Sequence, residues 1–122
     1  MEISDKPLFW SLGTRSAIRA MPEDVKDGFG FALREAQKGR MPENTKPLTS
    51  IAGGVMQITQ RANSDTFRAI YTVEIKEAII VLHVFQKKSK HGIATPKQDI
   101  DLIKARLKSA REHFEALKGQ PS

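Results

Sequence analysis

Cysteine is absent from the 122 residues, which excludes a disulfide framework and any thiolate metal site and suits a reducing compartment. Long apolar runs are missing as well. No segment approaches the roughly 18 residues of a membrane span, so no membrane partner is expected. Met1 to Asp5 is acidic and no apolar stretch of the secretory kind follows, so the expected location is the cytoplasm. Histidine is sparse: His83, His91 and His113 form no His-x-x-x-His pair, which argues against zinc. No nucleophile-elbow pattern is present, which argues against a serine hydrolase. Gly53-Gly54 alone does not make a phosphate loop, and no cofactor is expected.

What is present describes one folded unit. A composition 39% hydrophobic and 28% charged is too apolar for a disordered chain, and the length fits a single domain over residues 1–122. The net charge of +6 is unevenly placed. Residues 1–86 carry 11 Lys and Arg against 10 Asp and Glu, whereas residues 87–122 carry 9 against 4. The last third therefore either attracts a polyanion, whose counterions it would release, or is a solvated helix face.

Lys6 to Leu12 has strand-like content, with Pro7 tolerable at a strand start or sheet edge. Thr14 can cap a short helix to about Ala20. A second helix is expected from Pro22 to Lys38, with Glu23 and Asp24 at its positive end and Gly39 as the C′ residue. Its apolar stripe is Val25, Phe29, Ala32, Leu33 and Ala36, and Gly28 and Gly30 suggest close packing. Arg40 to Ala52 reads as an irregular connection. Three strands follow, Val55–Ala62, Thr66–Ile75 and Ala78–Lys88, with turns at Asn63-Ser64-Asp65 and Lys76-Glu77. Pro96 then opens a helix whose stripe is Ile100, Ile103, Leu107, Ala110, Phe114 and Leu117. The fold class is α+β.

Placing Ile75 opposite Ala78 sets a register for the last two strands. Phe67, Ala69, Tyr71 and Val73 then share a core face with Gln86, Val84, Leu82 and Ile80. The other face gathers Arg68, Ile70, Thr72 and Glu74 with Lys87, Phe85, His83 and Val81, and puts Arg68 across from Phe85.

An Arg, a His, a Lys and an aromatic ring on one sheet face suit RNA. A guanidinium holds a phosphate bidentately and a ring stacks a base. Without metal, a 2′-hydroxyl attacks the adjacent phosphorus once a base takes its proton, while cations stabilise the phosphorane. The candidate catalytic residues are Arg68, Lys87 and His83. Lys88, Lys90 and Phe85 are candidates for RNA binding. Each has a plainer reading. Arg68 can pair with Glu74, His83 can be a hydrogen-bonded core histidine, Phe85 can be core, and the lysines can be solvated charges at a strand end. His91 reads as a loop residue and His113 as a helix-surface one.

Asp65-Thr-Phe-Arg-Ala-Ile-Tyr71 and Val81-Leu-His-Val-Phe-Gln-Lys-Lys-Ser-Lys-His-Gly-Ile-Ala-Thr-Pro96 resemble the HigB-type, phage-derived branch of the RelE/ParE toxin superfamily. Similar segments lie at Pro22–Gln37, at Lys46-Pro-Leu48 and at Asp99-Ile-Asp-Leu-Ile-Lys104. The resemblance implies a small RelE-like fold, with a central antiparallel sheet, two N-terminal helices and a C-terminal helix. It also implies ribosome-dependent, metal-independent cleavage of messenger RNA and inactivation by a helix-turn-helix antitoxin. It supports Arg68, Lys87 and Lys88 as RNA-handling positions, and His83 more weakly. The chain departs from the pattern in three ways. Gln57 stands where a glutamate is expected, Thr49-Ser50 where many relatives are basic, and the only tyrosine, Tyr71, falls on the core face. A ParE-like gyrase poison that cleaves nothing, and a non-toxic nucleic-acid-binding regulator, are the alternative functions the same fold permits.

Overall fold

The computed structural model describes residues 5–87 and 95–118. Its elements are β1 (Leu8–Trp10), α1 (Thr14–Arg19), α2 (Glu23–Gln37), β2 (Thr45–Pro47), β3 (Val55–Ala62), β4 (Asp65–Thr72), β5 (Ile79–Lys87) and α3 (Lys97–Lys118). The strands form one sheet in the order β1-β5-β4-β3-β2, with β1 parallel to β5 and every other pair antiparallel. The class is α+β as expected, with one more strand than the sequence suggests. β2 lies inside the Arg40–Ala52 connection. Three residues ending in a proline carry no periodicity to read, and Pro47 is tolerated because β2 is an edge strand.

In α2 all five stripe residues, Val25, Phe29, Ala32, Leu33 and Ala36, are buried. Glu23 and Asp24 stand in the first turn, and Gly39 leaves the helix at φ 85°, which a side chain would resist. Pro22 is the N-cap rather than the first helical residue. Gly28 is a close-packing position, since a Cβ there would come within 2.6 Å of the Gln60 side chain. Gly30 is not: nothing lies within 4 Å of its would-be Cβ. Thr14 begins α1 rather than capping it, and its hydroxyl donates to the Ser11 carbonyl at 2.7 Å.

β3 and β4 are joined at Asn63 and Ser64, with φ 50° and 73°, a two-residue turn whose twist matches its strands. Between β4 and β5 the expected register holds from Thr66, opposite Lys87, to Ile70, opposite His83. It then slips by one residue, so that Tyr71 pairs with Val81 and Leu82 is the extra residue of a bulge. The Leu82 carbonyl accepts a hydrogen bond from Arg106 of α3 at 2.8 Å, and Arg106 also donates to Leu12 O at 3.1 Å.

The slip corrects the assignment of faces. Val81, expected beside the site, joins the core under α1 and α2 together with Phe29, Leu33, Phe67, Ala69, Tyr71 and Val84. Ile80 and Leu82, expected in that core, pack instead with Val55, Ile70, Ile103 and Leu107 under α3. The sheet is therefore covered on both faces, and the run Ile79–Leu82 is buried on both. Leu117, expected in the α3 stripe, is 49% exposed because the stripe outruns the sheet residues that bury Ile103 and Leu107.

Candidate nucleic-acid interface

Helix α3 covers only part of its sheet face. Beyond its contact with Ile80 and Leu82, the same face carries polar and cationic side chains in register. Lys46 of β2 pairs with Gln57 of β3, which pairs with Ile70 of β4, which pairs with His83 of β5. One row on, Thr59 pairs with Arg68, and Arg68 with Phe85. Beyond it, Arg61 pairs with Thr66, and Thr66 with Lys87. Strand alternation brings these side chains to one side because the bulge lies before His83 and leaves the later parity intact.

Arg68 and Lys87 are almost buried, at 8% and 9% exposure. Burial, and then Arg61, hold the Arg68 guanidinium below its usual proton affinity. Burial, then Arg68, then Lys46, do the same to the Lys87 ammonium. An open cleft of about 700 Å³ runs over Lys46, Gln57, Thr59, Arg61 and Arg68, and among the described residues no Asp or Glu lines it. Gln57 is 2% exposed, its amide nitrogen lies 3.5 Å from the Thr59 hydroxyl, and its Oε1 has no hydrogen-bond partner among the described residues. Neighbouring cations that burial and mutual repulsion disfavour are suited to contact an anion, and a phosphate there would offset part of that repulsion.

Arg68 does not take Glu74 as its ion-pair partner. Glu74 belongs to Arg111 of α3, which donates to it through Nε and, at 2.7 Å, through Nη2. That hydrogen bonding lowers the Glu74 proton affinity and raises that of Arg111. His83 Nε2 lies 2.7 Å from Asp99 Oδ1 at the start of α3, and its ring stacks on Phe85 with centroids 4.9 Å apart and planes 19° apart. Phe85 is half-buried, packed against the α3 core. Tyr71 is 1% exposed in the α1/α2 core and its hydroxyl is pushed up to about 12 by burial, so it contributes nothing to this face.

The structure thus brings Arg68, Lys87, Phe85 and His83 to one sheet face. Lys88, Lys90 and His91 lie outside the described residues. His113 is an exposed helix residue, edge-on to Phe114. Lys46 and Asp99 are additions. Lys46 sits in the strand that the sequence hides, and no local spacing joins Asp99 to His83. Among the described residues, no three His, Cys, Asp or Glu side chains gather as a metal site.

Residues 16–108, from α1 into α3 and including every site residue named above from Lys46 to Asp99, match the family model described as Phage derived protein Gp49-like (DUF891). No curated protein matches the chain.

Proposed function

The chain belongs to the Gp49-like phage-derived protein family, and from that membership we propose that it is the toxin of a type II toxin–antitoxin pair, a RelE/HigB-like endoribonuclease that cuts messenger RNA on the ribosome. The observation that carries this reading is the cation cluster: Arg68 and Lys87, nearly buried and each pushed down in proton affinity, beside a cleft without carboxylates. A single-stranded RNA backbone offers phosphates to this cationic face.

In the proposed reaction Arg68 holds the scissile phosphate. The 2′-oxygen of the preceding ribose attacks its phosphorus and loses its proton. The bond to the 5′-oxygen breaks, leaving a 2′,3′-cyclic phosphate and a 5′-hydroxyl that takes up a proton. The extra negative charge of the phosphorane falls between Arg68 and Lys87, whose donors are already in place. Lys87 is also suited to exchange the proton, because burial, and then Arg68 and Lys46, disfavour its charged form. A helix-turn-helix antitoxin is the proposed partner, and covering this face is its proposed means of inhibition.

Mapping the 5′ ends of cellular transcripts after brief induction tests the reading. New ends phased with codons are expected, and they should vanish in Arg68→Ala. Intact transcripts accompanied by DNA damage would overturn the proposal.

A further inference from the structure

We propose that Asp99 and His83 are positioning residues which hold the Phe85 ring as the stacking platform for the nucleobase next to the phosphate at Arg68. This rests on the reading of the cleft as an RNA site and assigns His83 a different task from the acid–base role that its residue type suggests.

Three observations point the same way. The His83 Nε2 is engaged by the Asp99 carboxylate at 2.7 Å, and the two side chains are only 13% and 19% exposed. The imidazole lies nearly parallel to Phe85, at 4.9 Å and 19°, so one face of the Phe85 ring is already occupied. Phe85 is in turn the direct cross-strand partner of Arg68. Paired residues on adjacent strands have their Cβ atoms about 5 Å apart, a span that a sugar can bridge between a phosphate on one side chain and a base on the other.

The contact with Asp99 occupies only Nε2 and by itself would suit a base acting through Nδ1 as well. The stacking of the imidazole on Phe85, the cross-strand partner of Arg68, is what assigns His83 the positioning task. A stacked ring restrains the rotation of Phe85. Asp99 restrains the stacked ring, and because Asp99 stands in the first turn of α3, the platform is anchored to a packed helix. Stacking on a fixed ring accepts any base, since every base has a π-face. The platform would therefore add affinity and position the base without imposing a sequence.

The test uses the whole chain and two readouts. One is quenching of 2-aminopurine in a short single-stranded oligoribonucleotide as the protein binds. The other is the KM and kcat of cleavage of ribosome-bound message. Phe85→Leu and His83→Gln should each weaken the quench and raise KM about tenfold, the order expected for one lost base–aromatic stack, with kcat little changed. Asp99→Ala should resemble His83→Gln, while Asp99→Asn, which keeps an acceptor oxygen for the imidazole, should recover most of the loss. Because His83 acts through Phe85, the double variant should be no worse than Phe85→Leu alone.

A hundredfold fall in kcat for His83→Gln with the quench intact would overturn the proposal, as would additive losses in the double variant. If His83→Gln does not fold, Phe85→Leu and Asp99→Asn against Asp99→Ala decide the matter. Wild-type quenching without cleavage would sink the enzyme reading and leave the platform standing. Cleavage without quenching would sink the platform alone, and absence of both would sink the two together.

Discussion

Arg68 of β4 and Phe85 of β5 are direct partners across the ladder, which puts a nearly buried arginine and an aromatic residue in one rung of the same sheet face. Replacing Arg68 with alanine removes the charge that would hold the scissile phosphate, and alanine offers no bidentate donor in its place. Cleavage should fall by about two to three powers of ten, and growth arrest should disappear at matched expression. Circular dichroism should show a fold like the wild type. A folded Arg68→Ala variant that still arrests growth would remove Arg68 from the site.

Lys87 loses proton affinity in the folded chain because burial, Arg68 and Lys46 all disfavour its charged form. Its protonated form therefore weakens the fold below the folded-state pKa. The penalty fades as the pH rises through that pKa towards the ordinary value of 10.5. Lys87→Met keeps the apolar stem without the charge. It should lose activity and gain less stability than the wild type as the pH rises towards the alkaline range. Thermal melts of both proteins across that range measure the effect, and an equal gain in the variant would contradict it.

Gly30 separates helix propensity from packing. It lies in the middle of α2 with nothing within 4 Å of its would-be Cβ, whereas Gly28 has Gln60 at 2.6 Å. Gly30→Ala should stabilise the chain by about 0.5–1 kcal/mol, the ordinary gain of alanine over glycine in a helix. Gly28→Ala should gain less, because the Gln60 side chain has to move. Urea unfolding of the two variants gives the comparison.

Local pattern made much of this architecture legible. β3 ends where the pattern ends, the α2 stripe is buried residue for residue, and the register from Thr66 to Ile70 places Arg68 opposite Phe85. The bulge at Leu82 was hidden because Ile79, Ile80, Val81 and Leu82 are all apolar, so a one-residue slip changes no visible alternation. Burial under α3 is what makes the slip tolerable: Ile80 and Leu82 find a second core instead of solvent. β2 was hidden by its brevity and its proline. The pairing of His83 with Asp99, and the approach of Lys46 to Lys87, join residues far apart in the chain, and no local spacing encodes them.

The proposed antitoxin should meet a surface whose charge is concentrated at Arg68, Lys87, Lys46 and Arg61. Acidic or aromatic side chains are expected against it, and the association rate should drop as salt is added. Stopped-flow association at increasing ionic strength tests this. A salt-independent rate, with Lys46 and Lys87 still open to chemical labelling in the complex, would place inhibition elsewhere on the molecule.

The most demanding prediction is that Arg68 and Lys87 act on one phosphate. They lie diagonally on one sheet face, with Lys87 opposite Thr66 and Arg68 opposite Phe85, and Arg68 is close enough to depress the proton affinity of Lys87. If both stabilise the same phosphorane, Arg68→Ala and Lys87→Ala should each slow single-turnover cleavage of ribosome-bound message by about two to three powers of ten. The double variant should then lose less than the product of the two, because once one donor is gone the other no longer faces a fully assembled transition-state site. Arg68→Ala should also raise the Lys87 proton affinity, since it removes a repelling charge, and the alkaline limb of any Lys87-dependent rate profile should move to higher pH. Strictly multiplicative losses would mean that the two cations serve different phosphates, with Arg68 at the bond that breaks and Lys87 along the backbone.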